Sequence, residues 1–166
     1  MNREFDLIIY GATGFTGKLA VEYIDNNYSD LKWAIAGRNS EKLRQISNST
    51  KSKPPIFIAS SDDSNSLSEV VKKTKVIASL AGPFSKYSNE LVNQCYENNT
   101  NYVDITGENI WVRDLIDRYH KGCEEKGIFI IPSCGYDSIP SDIGSFYCHM
   151  MLNENIDHID GYHTGK

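Results

Sequence analysis

The sequence predicts an α/β fold built on one parallel sheet, and two observations lead to this prediction. Six short apolar runs alternate with amphipathic stretches along the 166 residues, as strands alternate with helices in βαβ units. The first run leads into three regularly spaced glycines, Gly11, Gly14 and Gly17, a pattern typical of a strand, a tight turn and a helix. We therefore expect a doubly wound sheet with the strand order 3-2-1-4-5-6.

The composition is that of an ordinary globular domain. Apolar residues make up 40% and charged residues 23%, and the formal net charge is −5 without a basic cluster, so nucleic acid is not an expected partner. No apolar run reaches the length of a membrane-spanning helix. The first residues lead directly into a strand, so we expect no signal peptide and a cytoplasmic location. An association of a longer protein with a lipid surface stays open.

Each of the later apolar runs predicts a strand. The predicted strands two to six are Trp33–Ala36, Ile56–Ala59, Lys75–Leu80, Tyr102–Ile105 and Ile128–Ile131. The sixth run is continuous enough to be buried on both faces of the sheet.

The amphipathic stretches predict helices whose apolar residues face the sheet. The first helix spans about Gly14 to Asn26, with four inward residues: Leu19, Ala20, Tyr23 and Ile24. A short helix capped by Asn39 or Ser40 follows strand two. Ser66 and Glu69 have the spacing of a capping box at the next helix, and Asp62 either begins that helix or lies near an adenine ring.

Two helices are predicted near the end of the chain. The first carries five inward residues, Val112, Leu115, Ile116, Tyr119 and Cys123, and ends at Gly127. The second begins near Pro140 and carries Ile143, Phe146, Tyr147 and Met150 inward. Residues 1–152 then form one domain, and residues 153–166 are a linker and the start of another strand.

The glycine turn predicts a dinucleotide site of the Rossmann type. Gly11 makes the turn out of the strand, Gly14 lets a pyrophosphate approach the backbone, and Gly17 lets the helix pack on the strand. The amide groups at the start of the helix favour a phosphate. The predicted cofactor-binding residues are Gly11, Ala12, Thr13, Gly14, Phe15, Thr16, Arg38, Asn39, Ala81, Gly82 and Pro83.

The end of strand two favours NADP(H) over NAD(H). An acidic residue there binds a ribose 2′-hydroxyl, whereas an arginine accepts a 2′-phosphate. This sequence has Gly37 and Arg38 and no acid, and a guanidinium matches a phosphate in charge and geometry.

The sequence contains no clear set of residues for acid–base catalysis. The one Tyr-x-x-x-Lys match, Tyr28 to Lys32, lies between the first helix and strand two, away from substrate chemistry. The weak catalytic candidates all follow strand ends: Tyr87, Glu108, Cys134, Tyr136 and Asp137. Tyr87 either projects toward a substrate or covers the core beside the next helix.

Metal and redox motifs are not expected. The four cysteines have no C-x-x-C spacing, and Cys95 and Cys123 lie on apolar helix faces as reduced core residues. The histidines lack helical metal-ligand spacing.

Five segments together resemble the saccharopine dehydrogenase-like oxidoreductases, in the subgroup of the trans-acting enoyl reductases. They are Gly11–Gly17, Ala36–Asn39, Leu80–Phe84, Tyr102–Glu108 and Cys134–Asp142. The resemblance implies an NADP-binding domain that supplies hydride for reduction of a small or lipid-like substrate. It also implies a protein more than twice as long, whose second domain completes the substrate cleft and forms homodimer contacts, so that this chain is an inactive fragment by itself.

Two features keep the function open. Saccharopine reductases have a Pro-Gly-x-Asp pattern after strand six, whereas this chain has Pro140-Ser141-Asp142, which puts saccharopine itself in doubt as the substrate. The absence of a Tyr-x-x-x-Lys pair near the substrate side is also compatible with a non-catalytic module that senses dinucleotides.

Overall fold

The computed structural model describes residues 3–152, 156–162 and 164. Six strands form its sheet: β1 (Phe5–Tyr10), β2 (Trp33–Gly37), β3 (Ile56–Ile58), β4 (Thr74–Ser79), β5 (Asn101–Asp104) and β6 (Ile130–Ile131). Seven helices occur in the described residues: α1 (Phe15–Asn27), α2 (Ser40–Ser49), α3 (Ser64–Val71), α4 (Phe84–Tyr87), α5 (Asn89–Glu97), α6 (Asn109–Lys126) and α7 (Ile139–Met151). The short helix α4 was not predicted.

The sheet is entirely parallel and has the order β3-β2-β1-β4-β5-β6, which confirms the predicted doubly wound fold. The chain turns from one half of the sheet to the other between β3 and β4. The carboxyl ends of β1 and β4 therefore border the crevice where doubly wound folds bind ligands. Tyr10 pairs with Ala36 on one side and with Ser79 on the other, so the three strands end at the same level.

Helices cover both faces of the sheet. On one face, Leu67, Leu91 and Leu115 come from α3, α5 and α6, and on the other Val21 and Leu43 come from α1 and α2. All five side chains are almost fully buried. Burying each such side chain contributes about 1.5–3 kcal/mol, so these two layers fix the strand ends in place.

The predicted inward face of α1 is partly wrong. Leu19 and Tyr23 are 52% and 58% exposed, whereas Gly17 and Val21 are buried and Ala20 and Ile24 pack against the core. The inward face of α1 therefore begins at Gly17. Because glycine has no side chain, this side of the helix can lie closest to β1.

Helix α6 shows a similar displacement of its inward face. Trp111, Leu115, Tyr119 and Cys123 are buried, whereas the predicted Val112 is half-buried and Ile116 is 47% exposed. Gly127 ends the helix in the left-handed conformation at φ 65°, as predicted.

Asn39 caps α2 as predicted, because its side chain accepts a hydrogen bond from the Lys42 amide. The predicted capping box at Ser66 is wrong. Asp63 caps α3 instead, and its carboxylate accepts hydrogen bonds from the amides of Asn65 and Ser66. An ionised carboxylate at a helix N-terminus is stabilised by the helix dipole, so the helix begins one turn earlier than expected.

The elements after α6 are less buried than predicted. Strand β6 contains only Ile130 and Ile131, at the edge of the sheet, and Ile131 is 47% exposed, so burial on both faces is wrong. Helix α7 has no buried residue, and its four expected inward residues are 53–64% exposed: Ile143, Phe146, Tyr147 and Met150. No element of the described chain packs over these side chains.

The predicted strand after α7 is absent from the described residues 156–162 and 164; the rest of that prediction falls on residues outside the description. No helix in the described chain has the length and apolar character to span a membrane.

Candidate functional site

The glycine turn lies directly against the loop that follows β4. Gly11 has φ +83°, and a Cβ there would lie 2.9 Å from the Ala81 nitrogen. Its amide donates to the Ala36 carbonyl, and its own carbonyl accepts from the Gly14 amide. Only glycine fits this backbone and this spacing, so the sequence brings the two central strand ends into contact.

Gly17 lets α1 start close beneath the turn. A Cβ on Gly17 would lie 2.3 Å from the Gly11 carbonyl oxygen and 2.8 Å from the backbone of Ala12. Gly14 is the N-cap residue in extended conformation, and no side chain caps the first turn of the helix. The positive end of the helix dipole is therefore open to an anion beside the turn.

A cavity of about 210 Å³ lies over the carboxyl ends of β1, β2 and β4. Six predicted cofactor-binding residues line it: Gly11, Thr13, Gly14, Arg38, Ala81 and Gly82. Tyr10, Gly37, Ser61 and Leu80 also line it and were not among the predicted binding residues. The sequence could have indicated these four residues only by their position, because each lies at or just beyond the end of a strand.

The other predicted binding residues have different places. Ala12 is fully buried, and Phe15 is 84% exposed next to the exposed Thr16. Asn39 caps α2, and Pro83 precedes α4. None of these side chains lines the cavity, so any contact of Ala12 with a ligand would be through its backbone.

Arg38 is the cation of this cavity. Its side chain is exposed, and no hydrogen bond or salt bridge to it is found in the described part of the chain. It lies near Asp62, whose pKa is lowered by a hydrogen bond from Ser60 and further by the positive charge of Arg38. Beside it, burial raises the pKa of Tyr10 to about 12, so this phenol is neutral at physiological pH.

Larger hollows also lie elsewhere on the surface. One of about 590 Å³ runs between α1 and α2, and one of about 670 Å³ lies beside Ile110 and Trp111. The first is lined mainly by helix sides with both Lys18 and Glu22, and the second by Ser85 of α4, the loop after β5 and the start of α6. The smaller cavity differs from these two because it joins the glycine turn, Arg38 and the β4 loop, and ligands of doubly wound folds bind at that position.

The catalytic candidates lie in three places, the first at the cavity, the second in the loop after β6, and the third, Glu108, in the loop after β5. Tyr87 lines the cavity and is half-buried. Cys134, Tyr136 and Asp137 lie in the loop between β6 and α7, and Tyr136 is 75% exposed. Burial raises the pKa of the Cys134 thiol, so it is not an activated nucleophile.

Glu108 has a structural partner for each carboxylate oxygen. Oε1 accepts from the Phe84 amide at 2.6 Å, and Oε2 accepts from the Ser85 amide at 3.1 Å. Hydrogen bonding to Ser85 is the main cause that lowers the pKa of Glu108. The carboxylate is thus ionised and held at the start of α4.

Asp104 is a buried carboxyl group that sequence reasoning did not select. Its Oδ1 accepts from the amides of Thr106 and Ser133, and its Oδ2 accepts from the Tyr102 hydroxyl at 2.8 Å. Burial raises the pKa of Asp104, against the effect of these hydrogen bonds. The buried hydroxyls of Ser79 and Ser88 lie beside the Tyr102 phenol and oppose the rise in its pKa that burial causes.

The cysteines and the residues able to bind a metal ion form neither a disulfide nor a metal site in the described part of the chain. All four cysteines are free, and Cys95 and Cys123 are buried as predicted. Within the residues that the structure describes, no three His, Cys, Asp or Glu side chains are grouped to hold a metal ion.

The sequence pattern of a family described as "Saccharopine dehydrogenase NADP binding domain" matches residues 7–131. The chain belongs to this family. The matched range contains the whole glycine turn, Arg38, the β4 loop and Glu108. The dinucleotide that this domain binds is therefore NADP(H), and the resemblance inferred from the sequence is confirmed.

Curated relatives cover nearly the whole chain. A "Lipid droplet localized protein" of Caenorhabditis elegans is 32% identical over 96% of this chain. A "Trans-acting enoyl reductase" of Mycobacterium tuberculosis is 38% identical over 92% of it. The chain spans only 39% and 37% of the lengths of these two proteins.

Solved structures agree with the fold. The apo saccharopine dehydrogenase (L-Glu forming) of Saccharomyces cerevisiae matches with a TM-score of 0.73 at 16% identity, over 89% of this chain and 31% of that one. A short-chain dehydrogenase/reductase of Veillonella parvula in complex with NADP matches with a TM-score of 0.52 at 14% identity, over 74% of this chain and 62% of that one. At these identities the likeness extends to the fold alone.

Proposed function

We propose that this chain is the cofactor-holding part of an NADPH-dependent oxidoreductase. The observation that carries the proposal is the cavity in which the glycine turn, the β4 loop and the exposed Arg38 meet. The family contains oxidoreductases, and the fold brings these three features to the crevice of a doubly wound sheet.

Each feature has a separate task in this proposal. The amides of the first turn of α1 hold the pyrophosphate, and the Arg38 guanidinium pairs with the 2′-phosphate. The nicotinamide half then lies toward the loop that contains Ala81, Gly82 and Pro83, whose small side chains allow close approach. When bound, NADPH supplies the hydride, and the chain orients the cofactor and limits its contact with water.

The substrate side of the reaction requires more chain than the described residues provide. We propose that residues 153–166 lead into a second domain, which covers the exposed apolar side chains of α7 and brings a substrate to the loop of Cys134, Tyr136 and Asp137. The names of the relatives, an enoyl reductase and a lipid droplet protein, favour a lipid-like substrate. The second of these names also supports lipid-surface association of a full-length protein. We further propose homodimer contacts through that second domain, because the family resemblance implies them.

Calorimetric titration of the chain with NADPH and NADH tests the cofactor proposal. The wild-type chain should bind NADPH about tenfold or more tightly than NADH, because one charge-assisted bidentate contact is gained. Arg38→Asp should remove this preference by weakening NADPH binding much more than NADH binding.

Arg44→Asp is the matched control for that substitution. Arg44 is an exposed arginine of α2 that does not line the cavity, so the same charge change there should leave the ratio of the two affinities unchanged. Equal losses for NADPH and NADH in the Arg38 variant would refute its role at the 2′-phosphate, and no NADPH binding by the wild type would refute the whole proposal.

One observation favours a second candidate function, a non-catalytic dinucleotide sensor. The two carboxylates that follow β5 near the β4 loop, Asp104 and Glu108, are both engaged in structural hydrogen bonds. Incubation of a full-length protein with NADPH and carbonyl, imine or enoyl compounds separates the two functions. Oxidation of NADPH with any of them excludes the sensor, whereas binding without oxidation favours it.

A further inference from the structure

The β4–α4 loop is held at both ends by hydrogen bonds to its backbone. At its start, the Leu80 amide donates to the Tyr10 carbonyl at 2.8 Å. At its end, the amides of Phe84 and Ser85 donate to the two oxygens of Glu108. The residues between these anchors include Ala81 and Gly82, which line the cofactor cavity.

Glu108 is in turn fixed by its own neighbours. Its amide donates to the Thr106 hydroxyl at 3.1 Å, and the Thr106 amide donates to Asp104 at 2.9 Å. Asp104 also accepts from the Ser133 amide, and the Ser133 hydroxyl donates to the Thr106 carbonyl. We call these four residues, Asp104, Thr106, Glu108 and Ser133, the carboxylate bracket.

The carboxylate bracket connects the loops that follow three neighbouring strands. Glu108 reaches the loop after β4, Asp104 and Thr106 belong to the end of β5 and its loop, and Ser133 belongs to the loop after β6. Ser133 has φ +62°, a conformation that a residue with a side chain adopts only when its surroundings hold it there. The loop on the cofactor side and the loop with the substrate-side candidates therefore share one set of hydrogen bonds.

We propose that Glu108 is a positioning residue for the nicotinamide half of the bound cofactor. It acts through the Phe84 and Ser85 amides, which fix the loop on which that half rests, and the rest of the carboxylate bracket fixes Glu108. This inference depends on the proposed function, because it assumes that the cofactor extends from Arg38 at the end of β2 toward the β4 loop.

Two ligands separate this role from general stabilisation of the fold. NADPH carries the nicotinamide, and 2′-phospho-ADP-ribose has the same adenosine, 2′-phosphate and pyrophosphate but lacks it. Glu108→Ala should weaken NADPH binding about tenfold, as expected when hydrogen bonds to a charged group are lost, and leave the affinity for 2′-phospho-ADP-ribose unchanged. Glu108→Gln retains one acceptor oxygen and should give a smaller loss.

Amide hydrogen exchange of the free chain gives an independent measurement. Exchange at Phe84 and Ser85 should become about tenfold faster in Glu108→Ala and remain unchanged in Glu125→Ala. Glu125 is an exposed glutamate near the end of α6, and its substitution should also leave both affinities unchanged.

The possible results distinguish the two proposals. If the wild-type chain binds neither ligand, the proposed function fails and the role of Glu108 fails with it. If the wild type binds both and the Glu108 variants bind both as well as the wild type does, or lose both equally, only the positioning role is overturned. If Glu108→Ala does not fold, the same comparison is made with Glu108→Gln, where a loss confined to NADPH supports the role and equal binding of both ligands overturns it.

Discussion

Gly17 determines how closely α1 approaches the glycine turn. Its missing side chain leaves room for the Gly11 carbonyl, which would lie 2.3 Å from a Cβ at this position. Backbone atoms surround the position, so the structure cannot adapt by moving a flexible side chain. The role that the sequence predicted for this glycine, close packing of helix and strand, agrees with this geometry.

Gly17→Ala should therefore destabilise the chain by about 1–3 kcal/mol, the usual cost of overpacking, and weaken NADPH binding. Gly144→Ala is the control, because Gly144 lies in α7 with nothing within 4 Å of a Cβ, and it should be neutral or slightly stabilising, by up to about 1 kcal/mol. Urea unfolding of the two variants checks this prediction. Equal stabilities would show that the contact at Gly17 relaxes without cost.

Asp104 should make stability depend on pH. Its pKa is raised above the ordinary value of 3.8 by burial, so the folded chain holds this proton more tightly than the unfolded chain does. Its contribution to stability then falls as the pH rises from 3.8 through the folded pKa. Asn at this position cannot titrate and retains an acceptor for the amides of Thr106 and Ser133.

The stability of Asp104→Asn relative to wild type should accordingly rise with pH over this window, and urea midpoints from about pH 4 to about pH 8 measure it. Parallel curves for the two proteins would mean that Asp104 titrates alike in the folded and unfolded chains.

Helix α7 illustrates the limit of periodicity at the scale of an element. Its apolar spacing correctly predicts a helix, but the residues expected to face inward are all exposed. The period of the apolar residues indicates which face of a helix is apolar, but it does not indicate which element covers that face. The same reason explains β6, whose apolar run predicts burial on both faces although Ile131 is 47% exposed.

Substitutions in α7 should therefore have little effect on the stability of this chain. Phe146→Ser, at a side chain that is 60% exposed, should change the free energy of unfolding by less than about 0.5 kcal/mol. Leu91→Ala in α5, at a fully buried position, should lower it by about 2–5 kcal/mol. Denaturant unfolding of both variants tests the comparison, and a large loss for Phe146→Ser would show that α7 is covered in solution.

Helix starts are a second place where sequence reasoning was incomplete. Asn39 was recognised because an Asn before a helical pattern is a common cap. Asp63, the cap of α3, was not considered, because Ser66 and Glu69 have the spacing of a capping box and placed the helix start one turn too late. Glu108 caps α4 although it lies 24 residues away from Phe84 along the chain. A local sequence pattern cannot predict a contact between residues that are so far apart.

For the whole molecule, the sequence was sufficient for the strand order. Alternation of strands and helices predicts the parallel sheet, and the sheet brings the ends of β1, β2 and β4 together. The glycines and Arg38 indicate the part of that edge where we propose that the cofactor binds. The contacts between distant loops, above all the carboxylate bracket, depend on the assembled fold and were not predicted.

A crystal structure of the chain with NADP⁺ would show directly whether the glycine turn and Arg38 hold the cofactor. We expect the pyrophosphate at the amides of the first turn of α1, the 2′-phosphate within about 3 Å of the Arg38 guanidinium, and the nicotinamide half toward Ala81–Pro83. A cofactor bound in the groove between α1 and α2, or one whose 2′-phosphate lies away from Arg38, would contradict it.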